Sequence, residues 1–123
     1  MAKAHKASDS EKLAELIIEG IQEKKGKQIQ LLDLRDINNA VCDFFIICHG
    51  NSNRQVDSIA DSVLEIVREK KGEKPLNMEG KSQAERILLD YINVVVHVFQ
   101  EELREHYALD ELWADAKIEF INE

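Results

Sequence analysis

Apolar and polar positions along this chain follow two periods, and each change of period marks a new element. Leu13, Leu16, Ile17, Gly20 and Ile21 fall at helical spacing and predict one apolar stripe. The helix is predicted to open near 8–10, because Ser8 and Glu11 have the spacing at which hydroxyl and carboxylate satisfy each other's backbone amides. Gly26 is a natural stop. Ile29–Leu34 is a short apolar run that reads as an interior strand on its length. Asp43–Cys48 is apolar on both faces, as a strand sandwiched between layers should be, and His49-Gly50 ends it. Asn51 or Ser52 can cap the next helix, whose stripe is Val56, Ile59, Ala60, Val63, Leu64 and Val67, with Gly72 closing it.

The second half is richer in strands. Leu76–Met78 follows Pro75, so it can join a sheet only at an edge. Arg86–Tyr91 and Val94–Phe99 predict a hairpin through Ile92-Asn93, with Asn93 the residue best able to take a positive φ. From Gln100 the pattern turns helical, with Phe99, Leu103, His106 and Tyr107 on one face, and Asp110 can cap a last turn carrying Leu112 and Trp113. The order of elements predicts an α/β (α+β) chain, a mixed β-sheet of about five strands covered by helices rather than an all-parallel doubly wound fold. One domain is expected, ordered over about 10–116, with flexible ends at 1–7 and 117–123.

Charge narrows the choice of partner. The 24 acidic and 16 basic residues leave −8, which repels phosphate backbones and removes the counterion-release drive for nucleic-acid binding. A basic protein surface is the expected partner, with no direct nucleic-acid contact and no membrane. No apolar run reaches membrane-spanning length, and MAKAHKAS has no hydrophobic segment behind its lysines, so the cytoplasm is expected. Cys42 and Cys48 bracket an extended run that would hold their Cα atoms about 20 Å apart, beyond disulfide reach, so reduced thiols are expected.

The residues raise three candidate chemistries. The loop His49-Gly50-Asn51-Ser52-Asn53, between a strand and a helix N-terminus, could cradle phosphate on backbone amides. It lacks a Walker lysine and the spaced glycines of a dinucleotide site, so a tight turn plus a cap is the preferred reading. Asp57 and Asp61 share a helix face at i and i+4, and Asp90 stands alone in its strand. Neither arrangement offers the converging acids of metal-assisted phosphoryl transfer, and Asp57 and Asp61 read as the solvated border of an amphipathic helix. Cys42, Cys48, His49 and His97 lack the paired short spacings of zinc ligands, and His97, sharing a face with Val95 and Phe99, reads as a hydrogen-bonded sheet histidine. No metal or other cofactor is expected.

Asp43-Phe44-Phe45-Ile46-Ile47-Cys48-His49-Gly50-Asn51-Ser52-Asn53-Arg54-Gln55-Val56 resembles a signature Asp-Tyr-Phe-Val-Ile-x-x-Gly-x-Ser-x-Arg-x-Val. Glu79-Gly80, Leu88-Leu89-Asp90-Tyr91, Val95-Val96-His97-Val98-Phe99, Arg104, Tyr107, Leu109 and Leu112-Trp113 match further motifs in the same order. On these residues, from about Leu13 to Ala116, the chain is similar to the Iojap-like family of ribosomal silencing factors. The resemblance implies a nucleotidyltransferase-like fold without the catalytic acids, acting as a binding protein. Members dock on ribosomal protein fourteen of the large ribosomal subunit and block joining of the small subunit, repressing translation.

The implied partner-binding residues are Glu79, Gly80, Arg86, Leu88, Asp90 and Tyr91. This chain departs from the family at two of its positions. Arg86 stands where the family has an interface tryptophan, and Ile92 stands where it has a glycine in the hairpin. The rival expectation is a nucleotide-binding or nucleotidyl-transferring enzyme centred on Gly50, Ser52 and Asp90. A third is a homodimer through an exposed sheet edge, competing with the ribosome for one surface.

Overall fold

The computed structural model describes residues 8–107 and 116–122. Its elements in order are α1 (Asp9–Glu23), β1 (Lys27–Asp33), β2 (Phe44–Gly50), α2 (Asn53–Lys71), β3 (Asn77–Glu79), β4 (Arg86–Asp90), β5 (Val94–Gln100), α3 (Glu101–Tyr107) and β6 (Lys117–Ile121). Leu109, Asp110, Leu112 and Trp113 lie outside the described residues, as do the expected end 1–7 and the side chains of His106 and Tyr107.

The two long helices start as their sequences dictate. Ser8 accepts from the Glu11 amide while the Glu11 carboxylate accepts from the Ser8 amide, closing a capping box. Ser52 caps α2 by accepting from the Gln55 amide, and Gly72 ends it in the left-handed region. Gly20 lets the helices approach: a Cβ there would stand 3.1 Å from the Val63 Cα, and its carbonyl accepts a 2.8 Å bond from Ser62.

The strands form one mixed six-stranded sheet in the order β3-β4-β5-β2-β1-β6. β2 and β5 pair in parallel, and every other pairing is antiparallel. The predicted mixed sheet is therefore present, with β3 at an edge as its proline requires. The sixth strand is a correction. Residues 117–121, expected to be loosely held, pair with β1 from Asp33↔Lys117 to Ile29↔Ile121. Alternation in Lys-Ile-Glu-Phe-Ile carries this strand, placing Ile118 and Phe120 on one face and Glu119 and Ile121 on the other.

α1 and α2 cover one face, where Leu13, Ile17, Ile21, Val56, Ile59, Val63 and Val67 meet Ile29, Ile46, Ile87, Leu89, Val96 and Val98. The opposite face carries a smaller cluster of Leu32, Leu34, Cys42, Phe45, Ile47 and Phe99, with Leu103 of α3 packed against it. Burial on both sides explains the unbroken apolar run of β2, which is buried along its whole length.

The hairpin turn is a second correction: Ile92, not Asn93, takes the positive φ, at 78°. The Asn93 carbonyl accepts the Asp43 and Phe44 amides at 2.8 and 3.2 Å, and its own amide donates to the Tyr91 carbonyl. These bonds to the start of β2 hold Asn93 in place, so the left-handed residue is Ile92, whose amide donates to Asp90 Oδ1 at 2.8 Å. A β-branched residue is strained there. Ile92→Gly is expected to stabilise the fold by about 1 kcal/mol, read as a rise of a few degrees in Tm by differential scanning calorimetry.

Candidate functional site

Pairing register decides what shares a surface with what. Arg86 pairs with Phe99, Leu88 with His97 and with Glu79, and Asp90 with Val95 and with Asn77. Side chains alternate along a strand, so Glu79, Arg86, Leu88 and Asp90 fall on the face that α1 and α2 leave open. Glu79 is exposed, and Arg86, Leu88 and Asp90 are half-buried. The result is a strip in which one apolar side chain, Leu88, is flanked by Glu79, Arg86 and Asp90.

Gly80 ends β3 with φ at +81°, and a Cβ there would lie 1.8 Å from the Arg86 carbonyl. Tyr91 belongs elsewhere. It is 5% exposed within the helix-covered core and its hydroxyl has no hydrogen-bond partner among the described residues, so it supports the strip from behind and cannot present itself to a partner. Burial pushes its phenol up to about 12, with the Glu73 charge adding to the effect.

His97 lies under the strip, 8% exposed, with its ring edge-on to Phe45 at 4.8 Å and to Phe99 at 5.5 Å. Among the described residues its Nδ1 has no hydrogen-bond partner, which corrects the expectation of a hydrogen-bonded sheet histidine. Phe45 and Phe99 bring carbon to the ring from both sides. The histidine consequently behaves as a core aromatic.

Two cations tie the surroundings down. Lys81 Nζ lies 2.6 Å from Asp57 and 2.8 Å from Asp61, joining the β3–β4 loop to α2, and both bonds raise its pKa. The i, i+4 acid pair read from the sequence therefore does converge, on an ammonium group. Arg104 of α3 contacts His49 Nδ1 at 2.9 Å and donates to Gln30 Oε1 at 3.0 Å, pinning α3 to the middle of β1 and the end of β2. Neither tie is legible in the sequence, because each partner lies 20 or more residues away in the chain.

The residues of the enzymatic alternative are not brought together. Gly50 pairs with Gln100 and Asp90 with Val95, at opposite ends of β5, about 17 Å apart at the usual rise per residue. At the turn itself the Asn51 amide donates to Gln55 Oε1 and the Gln55 amide to Ser52, so these two amides serve the helix cap. Cys48 faces the core on the helix side and Cys42 the other side; burial pushes their thiols up to about 12 and about 11. Both are free cysteines. Among the described residues no three His, Cys, Asp or Glu side chains converge, and no helix is long and apolar enough to cross a membrane.

The family described as ribosomal silencing factor during starvation matches residues 7–123. The chain belongs to this family. A ribosomal silencing factor of Bacillus subtilis is 41% identical over 96 residues, covering 78% of this chain and 80% of its own length. Another, from Halalkalibacterium halodurans, is 38% identical over 107 residues, covering 87% and 90% respectively. A crystal structure of a Chromobacterium violaceum protein superimposes with a TM-score of 0.81 at 31% identity, covering 94% of this chain and 95% of that one. Silencing-factor membership thus spans α1 to β6, with the open strip on β3 and β4 inside the matched region.

Proposed function

We propose that this chain binds the large ribosomal subunit through ribosomal protein fourteen and, by occupying space there, keeps the small subunit from joining, which represses translation. No bond is made or broken in this reading. Its site is Glu79, Gly80, Arg86, Leu88 and Asp90, with Tyr91 behind them. Support comes from the acid-flanked, half-exposed Leu88 on the sheet face away from α1 and α2, in a chain matched along nearly its whole length to silencing factors.

Charge explains why a protein foothold suits this molecule. A net charge of −8 is repelled by ribosomal RNA, whereas Glu79 and Asp90 can pair with lysines or arginines of a basic ribosomal protein. Rim charges of this kind set orientation and association rate, and Leu88 supplies the buried apolar contact. Arg86 places a cation inside an acidic strip, where its planar guanidinium offers a different contact from an aromatic ring.

The test is subunit joining followed by sedimentation. The protein is expected to shift mixed subunits away from the joined particle. Glu79→Lys with Asp90→Lys is expected to weaken this about tenfold, and wild-type binding to the large subunit is expected to fall as salt rises. Joining that proceeds unchanged with saturating protein would reject the reading. Salt-indifferent binding would reject the acidic contacts alone.

A further inference from the structure

At the far side of the sheet from this strip, β6 ends the strand order, so one row of its backbone amides and carbonyls points away from β1. Beside it runs a groove of about 500 Å³ between β6 and the edge of α1. Ala14, Ile18, Leu31 and Ile121 give it an apolar floor. On the opposite face of the same strand Phe120 is 73% exposed. Among the described residues nothing pairs with this edge, and an edge with apolar surface on both sides is the arrangement that accepts an added strand.

The charges around the groove select the occupant. Arg35 is occupied by Asp33 at 2.8 Å, approaches Glu11 at 3.6 Å and lies over the Phe44 ring, while Lys117 reaches Asp36 at 3.1 Å. Glu15 and Glu119 have no ion-pair partner among the described residues and stand on opposite walls, one on α1 and one on β6. An extended segment could set apolar side chains on the floor and basic ones against these two acids. A second copy of this chain is disfavoured, because each copy carries −8.

We propose that the open edge of β6, with the groove beside it, receives an extended segment of another protein with alternating basic and apolar residues, added as a seventh strand. The site is separate from the proposed ribosomal strip. Five inter-strand steps of about 4.8 Å put β6 about 24 Å from β3, so both surfaces can be occupied at once.

The experiment titrates the full chain into a fluorescein-labelled peptide, KVKIKVK, and reads anisotropy. Saturable binding is expected, with the amides of residues 117–121 gaining hydrogen-exchange protection. Glu15→Lys with Glu119→Lys is expected to weaken it at least about tenfold. The same charge change on α2, Glu65→Lys with Glu69→Lys, should leave it within about twofold, and the acidic peptide EVEIEVE should not bind. The proposal is overturned if KVKIKVK fails to bind, or if the two double variants weaken it equally, which would mean diffuse attraction to an acidic protein. It is equally overturned if sedimentation finds a dimer that Phe120→Glu dissolves, since a second copy would then own the edge. Subunit joining measured on the Glu15→Lys, Glu119→Lys variant should match wild type, which separates this site from the ribosomal one.

Discussion

Acidification from pH 7 to pH 4 is expected to remove about 3 kcal/mol of folding stability through His97 alone. Burial is the main cause and the nearby Arg86 charge the second: together they lower the imidazole pKa to about 4 from its ordinary 6.5. Between those values the unfolded chain holds a proton that the folded chain does not. Stability is therefore complete above the ordinary value, falls as pH drops through 4, and levels off below it. Urea denaturation at a series of pH values measures the effect. His97→Leu should flatten the decline while remaining at least as stable at pH 7, because the unpartnered Nδ1 is removed. Parallel profiles for the two proteins would show that His97 is not the source.

Replacing Gly80 by alanine is expected to cost about 3 kcal/mol, lowering Tm by about 10 °C. Two effects add. The backbone sits at φ +81°, where a side chain is strained, and the new Cβ would lie 1.8 Å from the Arg86 carbonyl. Relief requires β3 to separate from β4 beside the Glu79↔Leu88 pair, or the Gly80 carbonyl to give up its 2.9 Å bond from the Ala84 amide. Either movement displaces Glu79 from Leu88, so binding to the large subunit should fall by more than about tenfold. Thermal denaturation with cosedimentation checks both halves. An unchanged Tm would show that the β3–β4 loop yields more easily than its geometry implies.

The fold was largely legible because most of its signals are local. Ser8 with Glu11, Ser52 before α2, Gly72 after it and the all-apolar β2 each declare themselves within a few residues. The family resemblance singled out six residues, and the register sorts them: four line one face, Gly80 closes the strand, and Tyr91 turns inward. β6 was misjudged although it alternates. Five residues at a chain end do not reveal whether a partner strand is waiting, and here the partner is β1, far back in the sequence.

Period, capping chemistry and net charge were thus determined by the sequence itself, since each depends on neighbours a few residues apart or on a sum over the chain. Tertiary structure alone decided that Ile92 and not Asn93 would bear the left-handed turn, because the start of β2 claims the Asn93 carbonyl. It alone decided that Asp57 and Asp61 would hold Lys81, and that His97 would be buried without a partner for Nδ1. The physical reason is common to all three. A polar group's partner is set by which distant segments the packed sheet and helices bring within hydrogen-bond reach, and the order of residues does not record that distance.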